Sequence, residues 1–453
     1  MPARRSWLTV AVPLAIVIVA ALLRMVDLGH VDRIQFDESY YANDANALVE
    51  RGVEVERPAH PPVGKWVLAA GIAVLGFDPV GWRIGSAVAG TITVLVTYGA
   101  GLLLLRDRWL AAAAALLVAV DGMAITTSRI AMLDATLALF VSLSLLLLLR
   151  HHRERATAPV TRRYLPAGPE LWLAGVSLGL AVGTKWSAAP MLALAVLLAL
   201  WAEVRRRRPD RGAVRAVVEA GVATALPLVV VPIVVYLASY GGFFLNYTES
   251  KVYEQRCPEL DCEAPVSERV AGLVFHHQDL VRMHQALEQT HPYRSSASGW
   301  LVLERPVLSY LERCPRDDGE PCVVPEGKTA RIVMVGNPAL WWPLLAALPL
   351  VLWQIVRRRD RSLALVMGLG AVLYVPWLFQ GKGYLFYVAP LVPFAALALV
   401  AGTRSLPGRA ARVAPWVLVA AAVALLAFLA PIWYGMPLGA DATRIRLLLG
   451  SWR

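Results

Sequence analysis

Long apolar runs recur from one end of this chain to the other, and they settle its fold class before any motif is weighed. They fall at 7–26, 82–105, 110–128, 131–149, 170–184, 187–202, 217–239, 338–356, 363–379, 385–402 and 414–433. A bilayer core about 30 Å thick needs roughly 20 apolar residues per helix, and backbone groups left unpaired in hydrocarbon cost several kcal/mol each. The chain is therefore expected to be an all-α polytopic membrane protein of about eleven transmembrane helices, one integral domain over 1–453. Composition agrees: 57% of the residues are hydrophobic and 17% charged, far from the balance of a soluble protein.

Arginine sets the expected orientation, because Lys and Arg near helix ends stay on the cytoplasmic side. Arg4 and Arg5, Arg106 and Arg108, the 150–163 stretch, Arg205 to Arg208, Arg357 to Arg359, and Arg404 to Arg412 occupy every second loop. That pattern predicts a cytoplasmic N-terminus and an extracytoplasmic C-terminus. Basic loops facing anionic headgroups account for the net charge of +11, so membrane lipids, and no nucleic acid, are the implied partners. The first run follows Arg4 and Arg5 as a signal peptide would. Arg24-Met25-Val26-Asp27 is not a small-residue cleavage site, however, so an uncleaved anchor is expected.

Two extracytoplasmic stretches are long enough to do chemistry, 27–81 and 240–337. The second holds Cys257, Cys262, Cys314 and Cys322. An oxidising compartment makes these disulfide candidates, with three possible pairings, and their spacing does not match a zinc knuckle. His276, His277, His284 and His291 share that loop, the last three at sevenfold spacing that predicts one helical face. A polar helix face is the simpler reading than a metal cluster. Asn246-Tyr247-Thr248 fits a glycosylation acceptor by pattern alone.

The chemistry-bearing residues gather at the outer helix ends. Phe36-Asp37-Glu38 follows the first run by about ten residues. His60-Pro61-Pro62-Val63-Gly64-Lys65-Trp66 adds a rigid turn and two potential cations. Arg83, Arg129 and Lys185-Trp186 stand on the external side against the positive-inside trend, and together they read as an anion site. Asp134 lies about one turn inside the fourth run, where a lone carboxylate needs a partner, and Arg129 is near enough in sequence to serve. A base beside several cations suits attack by a hydroxyl on a sugar carried by a lipid phosphate. The leaving phosphate, whose second pKa is about 6, departs without a general acid and needs only cations to hold it. A single displacement with inversion follows, with Asp37 as base and Glu38 as its orienting neighbour. No metal or other cofactor is called for.

In order and spacing these residues resemble the protein O-mannosyltransferase family, along nearly the whole chain. The matching elements are Phe36-Asp37-Glu38, His60 to Lys65, Trp82-Arg83, Asp121-Gly122, Ser128-Arg129 with Leu133-Asp134, and Thr184-Lys185-Trp186-Ser187. His291-Pro292-Tyr293, Arg305-Pro306-Val307, Gly336-Asn337-Pro338 with Trp341-Trp342, Pro376-Trp377, and Phe386-Tyr387 before Pro390 complete the set. The resemblance implies a GT-C-type fold of eleven helices in a bacterial cell membrane, with the active site on the extracytoplasmic face. It implies transfer of mannose from polyprenyl phosphate mannose to Ser or Thr hydroxyls of exported proteins. Asp37 and Glu38 take the family's catalytic acidic pair and Arg83 its essential arginine. Arg83, Arg129, Lys185, His60 and Lys65 are expected at the donor phosphate, with Asp134 and Trp186 in support. Eukaryotic relatives insert a β-trefoil in the large loop; here 240–337 is too short for one. The alternatives are a same-fold transferase with another lipid-linked sugar or a cell-envelope acceptor, a catalytically silent scaffold, and a secondary transporter. A transporter would show internal repeats and midplane polar groups, whereas the charges here lie at the outer ends.

Overall fold

The computed structural model describes residues 3–55, 59–155, 168–259, 261–285, 291–314 and 324–453. Helix dominates. In order, the helices are α1 (Ala3–Met25), α2 (Glu38–Glu50), α3 (Val63–Leu75), α4 (Pro79–Leu105), α5 (Arg108–Ala119), α6 (Gly122–Arg129), α7 (Leu133–Arg155) and α8 (Pro169–Thr184). There follow α9 (Ala189–Arg211), α10 (Ala213–Ala225), α11 (Val231–Ser239), α12 (Gly241–Leu245), α13 (Lys251–Arg256) and α14 (Val266–Gln285). The chain ends with α15 (Pro338–Arg357), α16 (Arg361–Tyr374), α17 (Val392–Thr403), α18 (Ala410–Trp433) and α19 (Ala440–Arg446).

Among the described residues nine helices are long and apolar enough to cross a membrane, or ten if α5 and α6 count as one bent span. The expected straight crossing at 110–128 is therefore corrected to a pair broken by 55°. The cause is Asp121. Its backbone is extended (φ −77°, ψ 130°) and its carboxylate accepts from the Ala124 amide, so it ends one helix and N-caps the next. The expected run at 170–184 forms α8, whose 16 residues reach only about 24 Å, short of a full hydrocarbon core. In the expected 217–239 crossing, Leu226–Val230 is a π-helical segment between α10 and α11, where Pro227 has no amide proton to give the α-helical ladder.

The chain folds as two compact units. One comprises Met1–Phe36, Ala87–Ile130 and His291–Arg453; the other comprises Asp37–Ser86 and Ala131–Thr290. In the first, the span Leu385–Thr403 is 94% buried, which makes it the centre on which α5, α15 and α16 pack. Two buried arginines fasten helix ends there. Arg24 donates to the Val118 and Ala119 carbonyls at the end of α5, and Arg129 to those of Arg24, Val26 and Asp27 at the end of α1. Each satisfies carbonyls that a helix terminus leaves without partners. Asp121 Oδ2 also accepts the Asn337 amide (2.8 Å) and the Trp341 indole (3.1 Å), tying the α5–α6 break to the start of α15. A hairpin of Val307–Arg313 and Thr329–Met334 lies in the same unit.

The second unit holds α2 and α3 against each other, α7 against α8, and α9 against α10. Its α3–α4 turn is close because it is glycine-lined: a Cβ at Gly85 would come within 2.3 Å of the Val67 carbonyl oxygen. Cys257 and Cys262 form a disulfide that ties the end of α13 to the segment leading into α14. Cys314 is also disulfide-bonded, and Cys322 lies outside the described residues.

Candidate active site

The acidic pair opens α2, and the backbone is strained just before it. Phe36 is left-handed (φ +51°), a conformation that costs a non-glycine residue about 1–3 kcal/mol and tends to mark functional sites. Asp37 is the N-cap of α2, yet its side chain accepts no capping bond. An Asp there ordinarily takes an amide of the first turn, a contact of about 1 kcal/mol. Among the described residues nothing donates a hydrogen bond to its carboxylate. Burial pushes Asp37 up to about 6; the charge of Lys185 pulls it down and that of Asp134 pushes it up, and neither overrides burial. The result is a carboxylate poised close to neutral pH with its lone pairs available.

Glu38 is the opposite case. It is fully buried and accepts from Arg83 Nε (2.7 Å), Arg83 Nη2 (2.9 Å) and the Ala131 amide (2.9 Å). Bidentate guanidinium pairing of this kind fixes geometry as well as charge. Glu38 thereby pins the first turn of α2 to α4 and to the segment entering α7. Two nitrogens of Arg83, which was expected at the donor phosphate, are thus engaged by Glu38.

Lys185 caps α8 in an extended conformation, and its Nζ donates to Asp134 Oδ2 at 2.7 Å. The expected partner of Asp134 was Arg129; Lys185 holds that place. Asp134 lies in the first turn of α7, where the helix dipole favours a carboxylate. Arg129, for which a place at the donor phosphate was expected, turns to the α1 carbonyls and lies 4.6 Å over the Tyr434 ring.

Lys65 and His60, also expected at the donor phosphate, have close partners of their own. Lys65 is completely buried and sits 2.9 Å from Asp44 Oδ2 and 3.1 Å from Glu54 Oε2. Burial alone would lower it, but the two carboxylates outweigh that and hold it above its ordinary value, so its charge is already balanced. Burial pushes Glu54 up to about 7, against the pull of Lys65. His60 packs on the rings of Tyr41 (6.0 Å) and His284 (5.4 Å). Burial, then the charges of Lys185, His284 and Lys65, hold it well below the usual histidine range, so it is a neutral ring and not the expected cation.

Asp44 and Glu54 were missed in the sequence reading. The signal was present: a lysine in the apolar run of α3 requires a carboxylate partner. Also missed were Tyr236 and His277, which surround Trp186. The indole donates to Tyr236 Oη at 3.0 Å and lies nearly parallel to the rings of His277 and His284. The expected three-histidine face is cut to two. His291 lies in a turn beyond α14, where Pro292 disfavours helix at the residue before it.

An available base, a locked acidic neighbour and a lysine–aspartate pair can together take a proton from a hydroxyl and stabilise an anionic leaving group. A family model described as dolichyl-phosphate-mannose-protein mannosyltransferase matches residues 79–248, and one for the C-terminal four-transmembrane region of protein-O-mannosyltransferase matches 270–452. The polyprenol-phosphate-mannose–protein mannosyltransferase of Mycolicibacterium smegmatis is 30% identical, over 99% of this chain and 93% of the relative. The chain belongs to the protein mannosyltransferase family. The enzyme so named in Corynebacterium glutamicum is 28% identical over 92% of this chain and 88% of its own length. Among solved structures, the Saccharomyces cerevisiae protein O-mannosyltransferase Pmt1-Pmt2 complex bound to the sugar donor superposes with a TM-score of 0.80 at 14% identity, covering 98% of this chain and 92% of that one. ArnT from Cupriavidus metallidurans bound to undecaprenyl phosphate gives 0.55 at 16% identity, over 100% of this chain and 67% of that one. These two likenesses establish the GT-C fold of the mannosyltransferase chain, and family membership sets the transporter aside.

Proposed function

We propose that this mannosyltransferase moves mannose from polyprenyl phosphate mannose to Ser or Thr hydroxyls of exported proteins, with inversion, on the outer face of a bacterial plasma membrane. The observation that carries the reading is the contrast within one acidic pair: Glu38 is locked by three donors, while Asp37 forgoes its cap and keeps its carboxylate available. Asp37 takes the acceptor's proton as its oxygen attacks the anomeric carbon. The carbon–oxygen bond to phosphate breaks, and the polyprenyl phosphate leaves as an anion. Lys185, held by Asp134, supplies the cation at that phosphate, and Arg83 acts through Glu38 by fixing the turn that carries Asp37. The arginine pattern supports an inside N-terminus and an outside C-terminus, with the short α8 crossing as an eleventh span.

The test is transfer of radiolabel from mannosyl lipid to a Ser/Thr-rich peptide by the purified protein. Wild type should label the peptide, and Asp37→Asn should abolish labelling while still binding donor. Residual turnover with weakened donor binding would overturn the base assignment. Labelling of an envelope lipid in place of the peptide would overturn the acceptor.

A further inference from the structure

The helix α14 is docked on the corner that carries Lys185 by a hydrogen-bond chain whose direction is fixed by chemistry. An indole can only donate, so Tyr236 Oη accepts from Trp186 Nε1 at 3.0 Å. His277 Nδ1 lies 2.8 Å from the Leu273 carbonyl oxygen and must carry a proton to bond there. In the neutral ring Nε2 is then the acceptor, and it takes the Tyr236 hydroxyl proton at 2.8 Å. Donation thus runs from Trp186 to Tyr236 to His277 to a backbone carbonyl, with every proton used. The indole also lies near two imidazoles two turns apart on α14, with centroids 6.1 Å (His277) and 6.3 Å (His284) away and planes within 29°. Lys185 is extended (φ −149°, ψ 136°) and the chain turns into a short 3-10 helix at Trp186, so the indole's seat governs where the lysine stem starts.

We propose that Tyr236 and His277 are positioning residues for sugar transfer, acting through Trp186 to hold Lys185 on Asp134 and facing Asp37. The inference rests on the transfer reading above and adds a role for the loop helix. The titratable neighbours of this chain are Tyr240, 3.3 Å from the Tyr236 hydroxyl, His276 beside His277, and His284 beside His60. Those acting on Asp37 are Lys185 and Asp134.

The experiment measures kcat/KM against pH with labelled mannosyl lipid for wild type, Trp186→Phe, Tyr236→Phe and the double variant. Tyr236→Phe removes one oxygen and keeps the ring. Because Lys185 lowers the pKa of Asp37, a displaced lysine moves the acid limb to higher pH. Each single variant should show that upward move with a loss of about 10-fold or more near neutrality. The double variant should be no worse than the poorer single, since both cut one chain. An unmoved acid limb, or losses that multiply, would overturn the proposal. If Tyr236→Phe does not accumulate as folded protein, His277→Phe is read by the same two criteria. Failure of wild type to transfer mannose would instead sink the function itself, so the two failures are distinguishable.

Discussion

Two adjacent carboxylates with opposite surroundings carry the chemistry proposed for this site. Burial that holds Asp37 near 6 gives a pH dependence of definite sign. The base must be unprotonated to accept the acceptor's proton, so kcat/KM should rise with pH through about 6 and flatten above it. A pH profile in Asp37→Glu, with the limb displaced but present, checks that this group and no other sets it. Arg83 offers a sharper discrimination. If it acts through Glu38, Arg83→Gln should lower kcat by about 100-fold or more, because a buried carboxylate loses its bidentate partner, while KM for the donor stays near wild type. A large rise in donor KM at unchanged kcat would return Arg83 to the phosphate. The sequence marked all these residues, because charged side chains at helix ends in so apolar a chain are few. It could not apportion them: Arg129 and Lys185 looked equivalent as partners of Asp134, and only the path of the backbone after α6 and α8 separates them.

At the scale of elements, buried ion pairs do the fastening. Asp44 on α2 and Glu54 on the following loop converge on Lys65 of α3, and Asp44 Oδ1 also accepts the Val55 amide at 3.3 Å. This cluster holds together the two helices between which the His60 turn is strung. Lys65→Met should leave two carboxylates buried without a counter-charge and destabilise the fold by about 3–5 kcal/mol, read as a drop in the midpoint of thermal inactivation in detergent. Lys65→Met combined with Asp44→Asn and Glu54→Gln should recover most of that loss, whereas a phosphate-binding lysine would show lost donor affinity without lost stability. Periodicity and length made the long helices legible, but not their breaks. The bend at Asp121 depends on Asn337 and Trp341, which are more than 200 residues away in sequence and entered the reading only as family motifs.

For the molecule as a whole, the arginine asymmetry fixes an expected topology. Single cysteines in a variant lacking the native four should report it: Arg153→Cys should react with an impermeant maleimide only in inverted vesicles, and Ser296→Cys only in intact cells. Labelling of both from one side would overturn the inside N-terminus and outside C-terminus. The sequence by itself determined that the chain is helical, lies in a membrane and carries an acidic pair and several cations near its helix ends, because hydrocarbon leaves a polar backbone few solutions and makes each charge there conspicuous. The tertiary structure decided which charges are spent on one another. Whether a cation is a ligand site or a fastener depends on the carboxylates and carbonyls that folding brings within about 3 Å of it, and those partners come from other helices.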